Sequence, residues 1–405
     1  MANSLITISM ITREALRLWK NTNSFIKHID QQYDNSFAQT GAKIGSALRI
    51  RLPNDYTVRT GPTASPQDTA EQSTTLTLAT QKGVDTSFNS AERELSLDDF
   101  SKRVVAPMVN ATLGAVALDV MSGVEGGISN FTANQDSALN ISSPTAQTFL
   151  NAGAYLDQLS APRGNRMIIL DKWTQARTVA NLAGLFNPSK RIADQFDTGE
   201  MQTALGFDWL MDQTVISHTS GTYVTGSTTV NGAGQSGSSV VINAITGTLV
   251  IGDIITFNGV YAVNRVTKGI EATLAQFVIT NAVVNGATTI SIYPALVPPV
   301  SGNIVQYQTV SQSPSNSAAV NLVTAASAVY RKNFAFSPEA VTLATADLEL
   351  PKGVHEAHRD AYDGIAMRMV SAYNVTTDQF ITRLDVLYGY KWVRPEWACV
   401  IADAP

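Results

Sequence analysis

The residues with the clearest capacity for chemistry are His355, His358 and Asp360, within the run His355-Glu356-Ala357-His358. Two imidazoles and a carboxylate could hold a divalent metal. The zinc-protease spacing H-E-x-x-H, which sets both histidines on one helix face, is absent. Pro351 and Gly353 precede the run, so it reads as a solvated loop. His218 lies among serines and threonines, but no G-x-S-x-G elbow accompanies it. Cys399 is the single cysteine, which excludes a disulfide or a cysteine zinc site within one chain. It follows Trp397 in an apolar stretch and reads as a small buried side chain. Gly232, Gly234 and Gly237 sit in a serine-rich stretch with no strand before and no helix after, so a dinucleotide loop is not indicated. No catalytic, cofactor or metal site is therefore expected.

Composition narrows the class further. The 405 residues are 44% hydrophobic and 15% charged, with a net charge of −5. That length calls for two or three packed units. The charged fraction lies well below the roughly 25% usual in soluble domains. A surface so poor in charge either faces other protein or is kept wet by Ser, Thr and Asn. No dense Lys/Arg block exists, so tight nucleic-acid binding is not supported. Residues 1–20 do not read as a signal peptide, and no run reaches the roughly 20 apolar residues of a membrane span. One cysteine fits synthesis in a reducing cytoplasm.

The elements follow from periodicity. Residues 4–33 read as helical, with Ile8, Ile11, Ala15 and Leu18 in one stripe. Leu48, Ile50 and Leu52 alternate with Arg49 and Arg51, and Leu76 and Leu78 with Thr75 and Thr77, giving two strands with one wet face each. Residues 53–74 between them are polar, with little to bury, so the long hairpin needs a partner for stability. Ser96 starts a helix that Pro107 should kink or divide. Residues 108–124 are nearly all apolar or small, predicting a spine helix buried on most sides and stopped by Gly126-Gly127.

Residues 145–210 read as α/β: a helix with Phe149, Ala152, Leu156 and Leu159 in phase, a strand over 167–170, and a helix capped by Asp171. Between Ser217 and Gln312 only Asp253, Arg265, Lys268 and Glu271 carry charge. Strand signals recur there, with hairpin turns at Asn258-Gly259 and Asn285-Gly286. This predicts a separate small β-barrel domain, with a core of Ile254, Phe257, Val260, Phe277, Ile279, Ile290 and Ile292. Residues 368–373 and 379–387 read as strands, the second ending at Tyr388-Gly389.

Several stretches together resemble the Salmonella phage P-22 type of coat protein, the "gene protein 5" capsid family. They are Leu95-Ser96-Leu97-Asp98-Asp99-Phe100 with Pro107, Gly206-Phe207-Asp208, Gly252-Asp253-Ile254-Ile255-Thr256-Phe257-Asn258-Gly259, Asn333-Phe334-Ala335-Phe336, Arg383-Leu384-Asp385-Val386-Leu387-Tyr388-Gly389 and Arg394-Pro395-Glu396. The resemblance implies an α+β protein of the Hong Kong 97 capsid fold with an inserted β-barrel. Its parts would be an N-terminal arm (1–40), an extended hairpin loop (41–92), a peripheral domain with the spine helix (93–144), an axial domain (145–216 and 313–380), the insertion (217–312) and a closing strand segment (381–405).

The same resemblance implies a major capsid protein of a tailed phage, found in the virion. Copies would assemble into hexamers and pentamers, with a scaffolding protein, a portal at one vertex and nonspecifically held DNA as partners, and no membrane. The hairpin would lie on a neighbouring subunit, with Arg49, Arg51, Arg59, Pro62, Pro66, Asp68 and Glu71 as the contact candidates. Some relatives crosslink through a Lys, an Asn and a Glu brought together between subunits; spacing identifies no such trio here. The rival readings are a secreted or tail-associated β-rich receptor- or glycan-binding protein, and an enzyme with a carbohydrate-facing β module.

Overall fold

A computed structural model describes residues 24–31, 46–52, 54–59, 61–64, 66–67, 72–89, 106–182, 203–299, 305–362 and 365–405. The helical stripe expected at 8–18, the Ser96 helix start, Asp68 and Glu71 lie outside these residues. The chain divides into two compact units.

The first unit comprises residues 1–51, 73–120 and 341–393. Its centre is the 14-residue strand Gln379–Trp392, flanked antiparallel by Val341–Ala346, Ile365–Asn374 and Thr80–Asn89. Asp30–Gln31 and Glu356–Tyr362 complete the six-stranded sheet. The long strand does not end at Tyr388-Gly389 as the sequence suggested; it continues to Trp392. The glycine serves a close approach instead: a Cβ at 389 would stand 2.3 Å from the Thr77 carbonyl oxygen. Ser46–Arg51 pairs antiparallel with Ser73–Leu78, Ile50 opposite Thr74 and Leu48 opposite Leu76. Leu76 and Leu78 are buried against Ala344, Ala346 and Leu387, so the apolar face of this hairpin stem finds its cover in the same unit.

The spine helix runs from Ala106 to Glu125. Pro107 is the second of the helix's described residues; the kink or division expected there concerns residues before 106, which lie outside those described. Met108, Val109, Leu113, Val116, Ala117 and Val120 make a buried stripe at helical spacing. The expectation of burial on most sides fails, because Leu118 is 48% exposed and Asn110, Ala111 and Ala115 face solvent. By length and composition alone the stretch Pro107–Glu125 could cross a membrane, with half of its most apolar window buried in the chain. Its Asp119 is paired with Lys82 at 3.2 Å.

The second unit comprises residues 52–72, 121–340 and 394–405. One of its sheets has eight strands. Ala398–Asp403, buried throughout, lies between Val329–Phe336 (antiparallel) and Asn130–Gln135 (parallel). Buried on both faces, its residues 398–402 are a continuous run of small and apolar residues without alternation. Helix Ala146–Gln158 packs Phe149, Ala152 and Leu156 into this core. Thr145 and Thr148 close its capping box. Asp171 caps Lys172–Leu182 by accepting the Trp173 N–H at 3.0 Å.

The other sheet has six strands, in the order Thr228–Thr229, Ala319–Leu322, Ile254–Val263, Ile270–Ile279, Thr289–Leu296, Gly237–Val241. Its two edges meet at the bridge between Val230 and Ile242. There the Asn231 N–H donates to Val241 and the Asn243 N–H to Thr229. Hydrogen bonding therefore runs round the whole sheet, which leaves no open edge. The core residues reach from Tyr223 to Leu322, past the boundary of 312 read from composition. Asn258-Gly259 is not a hairpin turn. The strand passes through it, with an irregular register between Thr256 and Tyr261 and Gly259 at φ 77°. The hairpin reverses later, where the Asn264 N–H bonds the Gly269 carbonyl and Lys268 takes a φ of 56°. Asn285-Gly286 does form a turn, closed by the Ala287 N–H on the Val284 carbonyl.

Candidate assembly site

The hairpin stem leaves Arg49 and Arg51 exposed, two residues apart and so on one face. Arg49 Nε donates to Ser73 Oγ at 2.9 Å. In the loop, Arg59 donates to the Gly61 carbonyl, and Pro62 and Pro66 are exposed. Gln67 and Thr57 bond each other twice, N–H to Oε1 at 2.9 Å and Nε2 to the carbonyl at 2.5 Å. Tyr56 is 60% exposed and Val58 97%.

Asn54 and Asp55 behave differently from these neighbours. Both are half-buried, and they meet the closed sheet of their own chain. Arg265 Nε lies 2.8 Å from Asp55 Oδ2, and its Nη1 lies 2.5 Å from Glu396 Oε1. Tyr293 donates to the other Glu396 oxygen at 3.2 Å. Tyr307 donates to Asn54 Oδ1 at 3.3 Å. Arg394 reaches Glu396 at 3.5 Å and stacks over Trp397. One guanidinium thus holds two carboxylates from distant parts of the sequence, a geometry its planar fork suits. Burial opposes the Arg265 charge, but Glu396 and Asp55 outweigh burial and raise its pKa. Burial first, then Glu396, raises that of Tyr293. At Asn54 and Asp55 the loop meets its own chain.

A second charged group is fully enclosed. Lys332 is 1% exposed; its Nζ donates to the Gly252 carbonyl at 2.8 Å and to the Glu125 carbonyl, the last of the spine helix, at 3.3 Å. A cation there complements the negative helix end. Burial lowers its pKa to about 8, against the pull of Glu125 and Asp253. Burial likewise raises the Glu125 carboxyl well above its usual range, Lys332 and the Ile216 N–H opposing. Glu125 Oε2 has no hydrogen-bond partner. Asp253 accepts from Gly221 N–H at 3.0 Å and Val250 N–H at 2.9 Å, and contacts His218 Nε2 at 2.9 Å. Burial lowers the His218 pKa, with Asp253 opposing. These groups tie the helix end to the strand bearing Lys332 and to the turn before Ile254.

The remaining candidates are dispersed. His358 belongs to strand Glu356–Tyr362 rather than to a loop, because its backbone is paired with Met369. His355 rests edge-on against Phe380. Among the described residues no three His, Cys, Asp or Glu side chains form a metal-holding group. Cys399 is buried, which pushes its thiol far up. Phe257, Val260, Phe277, Ile279, Ile290 and Ile292 lie in the core of the closed sheet, and Ile254 is buried outside that cluster.

Sequence reading missed the Arg265 node and the Lys332 group. A signal was present for both: in a stretch almost without charge, Arg265 and Asp253 are two of the four charged residues. A charge kept where few exist has a partner to meet, but that partner could not be named.

Residues 234–401 match the family described as P22 coat protein - gene protein 5. No curated protein sequence matches the chain. Among solved structures, the chain resembles the capsid of Ralstonia phage GP4 at 7% identity and a TM-score of 0.48, over 94% of this chain and 91% of that one. It resembles the capsid structure of the cyanophage P-SCSP1u at 9% identity and 0.45, over 95% and 88%. The corresponding figures for a Mycobacterium phage Che8 chain are 11% and 0.43, over 94% and 91%.

Proposed function

We propose, on the premise that residues 234–401 are a coat-protein segment of the P22 gene protein 5 family, that the whole chain is the major capsid protein of a tailed phage with the Hong Kong 97 fold. It works by self-association into hexamers and pentamers that enclose the genome, and it catalyses nothing. The family match is the observation that carries this reading. The exposed Arg49, Arg51, Arg59, Pro62 and Pro66 of the hairpin support it as surfaces offered to a neighbouring copy. Repeated symmetric contacts, each modest, add up to a stable shell. The hairpin adds strand-like contacts of the kind used in β-augmentation. Assembly takes place in the host cytoplasm on a scaffolding protein, a portal occupies one vertex, and DNA is held weakly and without sequence preference.

Electron microscopy of the purified protein, expressed alone and with its candidate scaffold, tests the reading. Uniform closed particles are expected. A protein that stays monomeric at every concentration, scaffold present, overturns it.

A further inference from the structure

The role of the closed six-stranded sheet is open on the family match alone. We infer that this sheet is a mount for the hairpin loop, and that Arg265 is the positioning residue that fastens the loop to it. The inference rests on the capsid reading only for its consequence, since the fastening is a property of a single chain.

Among the described residues of the loop none is buried. Asn54 and Asp55 are half-buried, one bonded by Tyr307 and the other by Arg265. The intervening Tyr56 and Val58 are turned outward at 60% and 97% exposure. Thr57 is tied back to Gln67. With the alternate residues Asp55 and Thr57 anchored, an extended segment presents Tyr56 and Val58 in a defined direction. Without the anchors, these residues would sample many conformations, and any contact made by Tyr56, Val58 or Arg59 would first have to order them.

The anchor is itself held by several contacts. Arg265 sits just before the hairpin reversal at Lys268, whose Nζ is fixed on the Gln306 carbonyl at 2.6 Å. Its guanidinium is clamped from behind by Glu396, and Glu396 is held in turn by Tyr293 and Arg394. Asp55 meets a cation whose side chain has already lost its rotamer freedom. A pair held this way costs less entropy to form than an isolated surface pair.

The test uses full-length chain, kept dilute and unassembled, as wild type, Asp55→Asn and Arg265→Gln. Trypsin cleavage after Arg59 and hydrogen exchange at residues 54–59 report the hold on the loop. Both variants are expected to speed cleavage and exchange about tenfold or more, the loss of a partly buried charged contact. Asp55→Asn leaves the Arg265–Glu396 pair intact, and its main melting transition is expected to stay where it is. In an assembly assay, both variants form shells more slowly than wild type. Unchanged cleavage and exchange in Asp55→Asn overturn the mount, whatever happens in assembly. If the loop is loosened and shells form at the wild-type rate, positioning for assembly is overturned. Failure of the wild type to form shells would instead strike the capsid reading and leave the loop measurement standing.

Discussion

The phenolic hydroxyl of Tyr388 donates to Asp119 Oδ2 at 2.5 Å, joining the long strand of the first unit to the spine helix. Tyr388 is wholly buried, while the Asp119 side chain is 34% exposed and also faces Lys82 at 3.2 Å. The two ends of this bond therefore differ in what they lose when it is cut. Tyr388→Phe leaves Asp119 with Lys82 and water, and should cost about 1 kcal/mol. Asp119→Ala strands a buried hydroxyl and should cost about 1–3 kcal/mol. Urea unfolding of the two variants checks the order; equal losses would contradict it.

Lys332 sets a pH dependence opposite to that of a surface lysine. Its folded pKa of about 8 lies below the reference 10.5, so across that window the unfolded chain binds the proton more tightly. Stability from this group therefore rises as pH climbs from about 8 toward 10.5. The thiol of Cys399 and the phenol of Tyr330, both raised by burial, pull the other way at high pH. The quantity to measure is thus the difference in melting temperature between wild type and Lys332→Met. It is expected to shift in favour of wild type across that window, and to be flat below it.

Cys399 should be silent in the native state. Burial raises its thiol far above the usual range, and its Sγ lies 3.6 Å from the Val400 carbonyl. The thiolate is the reacting form. Titration with a thiol reagent should give no signal from folded protein and one equivalent after denaturation. Cys399→Ser should cost about 1–3 kcal/mol for its poorly paired buried hydroxyl.

Two glycines should respond to alanine with opposite signs. At Gly389 the added Cβ would stand 2.3 Å from the Thr77 carbonyl oxygen, a clash of backbone that no rotamer relieves. Gly389→Ala should lower the melting temperature by many degrees, as overpacking of about 1–3 kcal/mol or more does. At Gly114, inside the spine helix, a Cβ meets nothing within 4 Å. Gly114→Ala should stabilise by roughly 0.5–1 kcal/mol. Thermal melts of both variants decide it.

Much of the fold was legible where a local pattern has one structural meaning. Alternation at Leu76 and Leu78 placed the hairpin stem, the apolar run at 167–170 matched the strand Met167–Leu170, and Asp171 marked the start of the next helix. Patterns with two meanings were misread. Asn258-Gly259 signals a turn by residue type, yet an irregular strand needs the same positive φ at glycine. Tyr388-Gly389 looked like a strand end because glycine is poor in strands, but close backbone approach also demands it.

The sequence by itself determined the segments: their periodicity, their caps, the charge-poor stretch that became the closed sheet, and the absence of a spaced catalytic motif. Only the tertiary structure decided which charges meet. Asp55, Arg265 and Glu396 lie far apart along the chain, as do Glu125, Asp253 and Lys332, and each set converges through sheet topology. Local patterns arise from interactions within a few residues, which order in the sequence records directly. Pairing of a buried charge depends on where distant strands lie after packing, and no short window of sequence contains that.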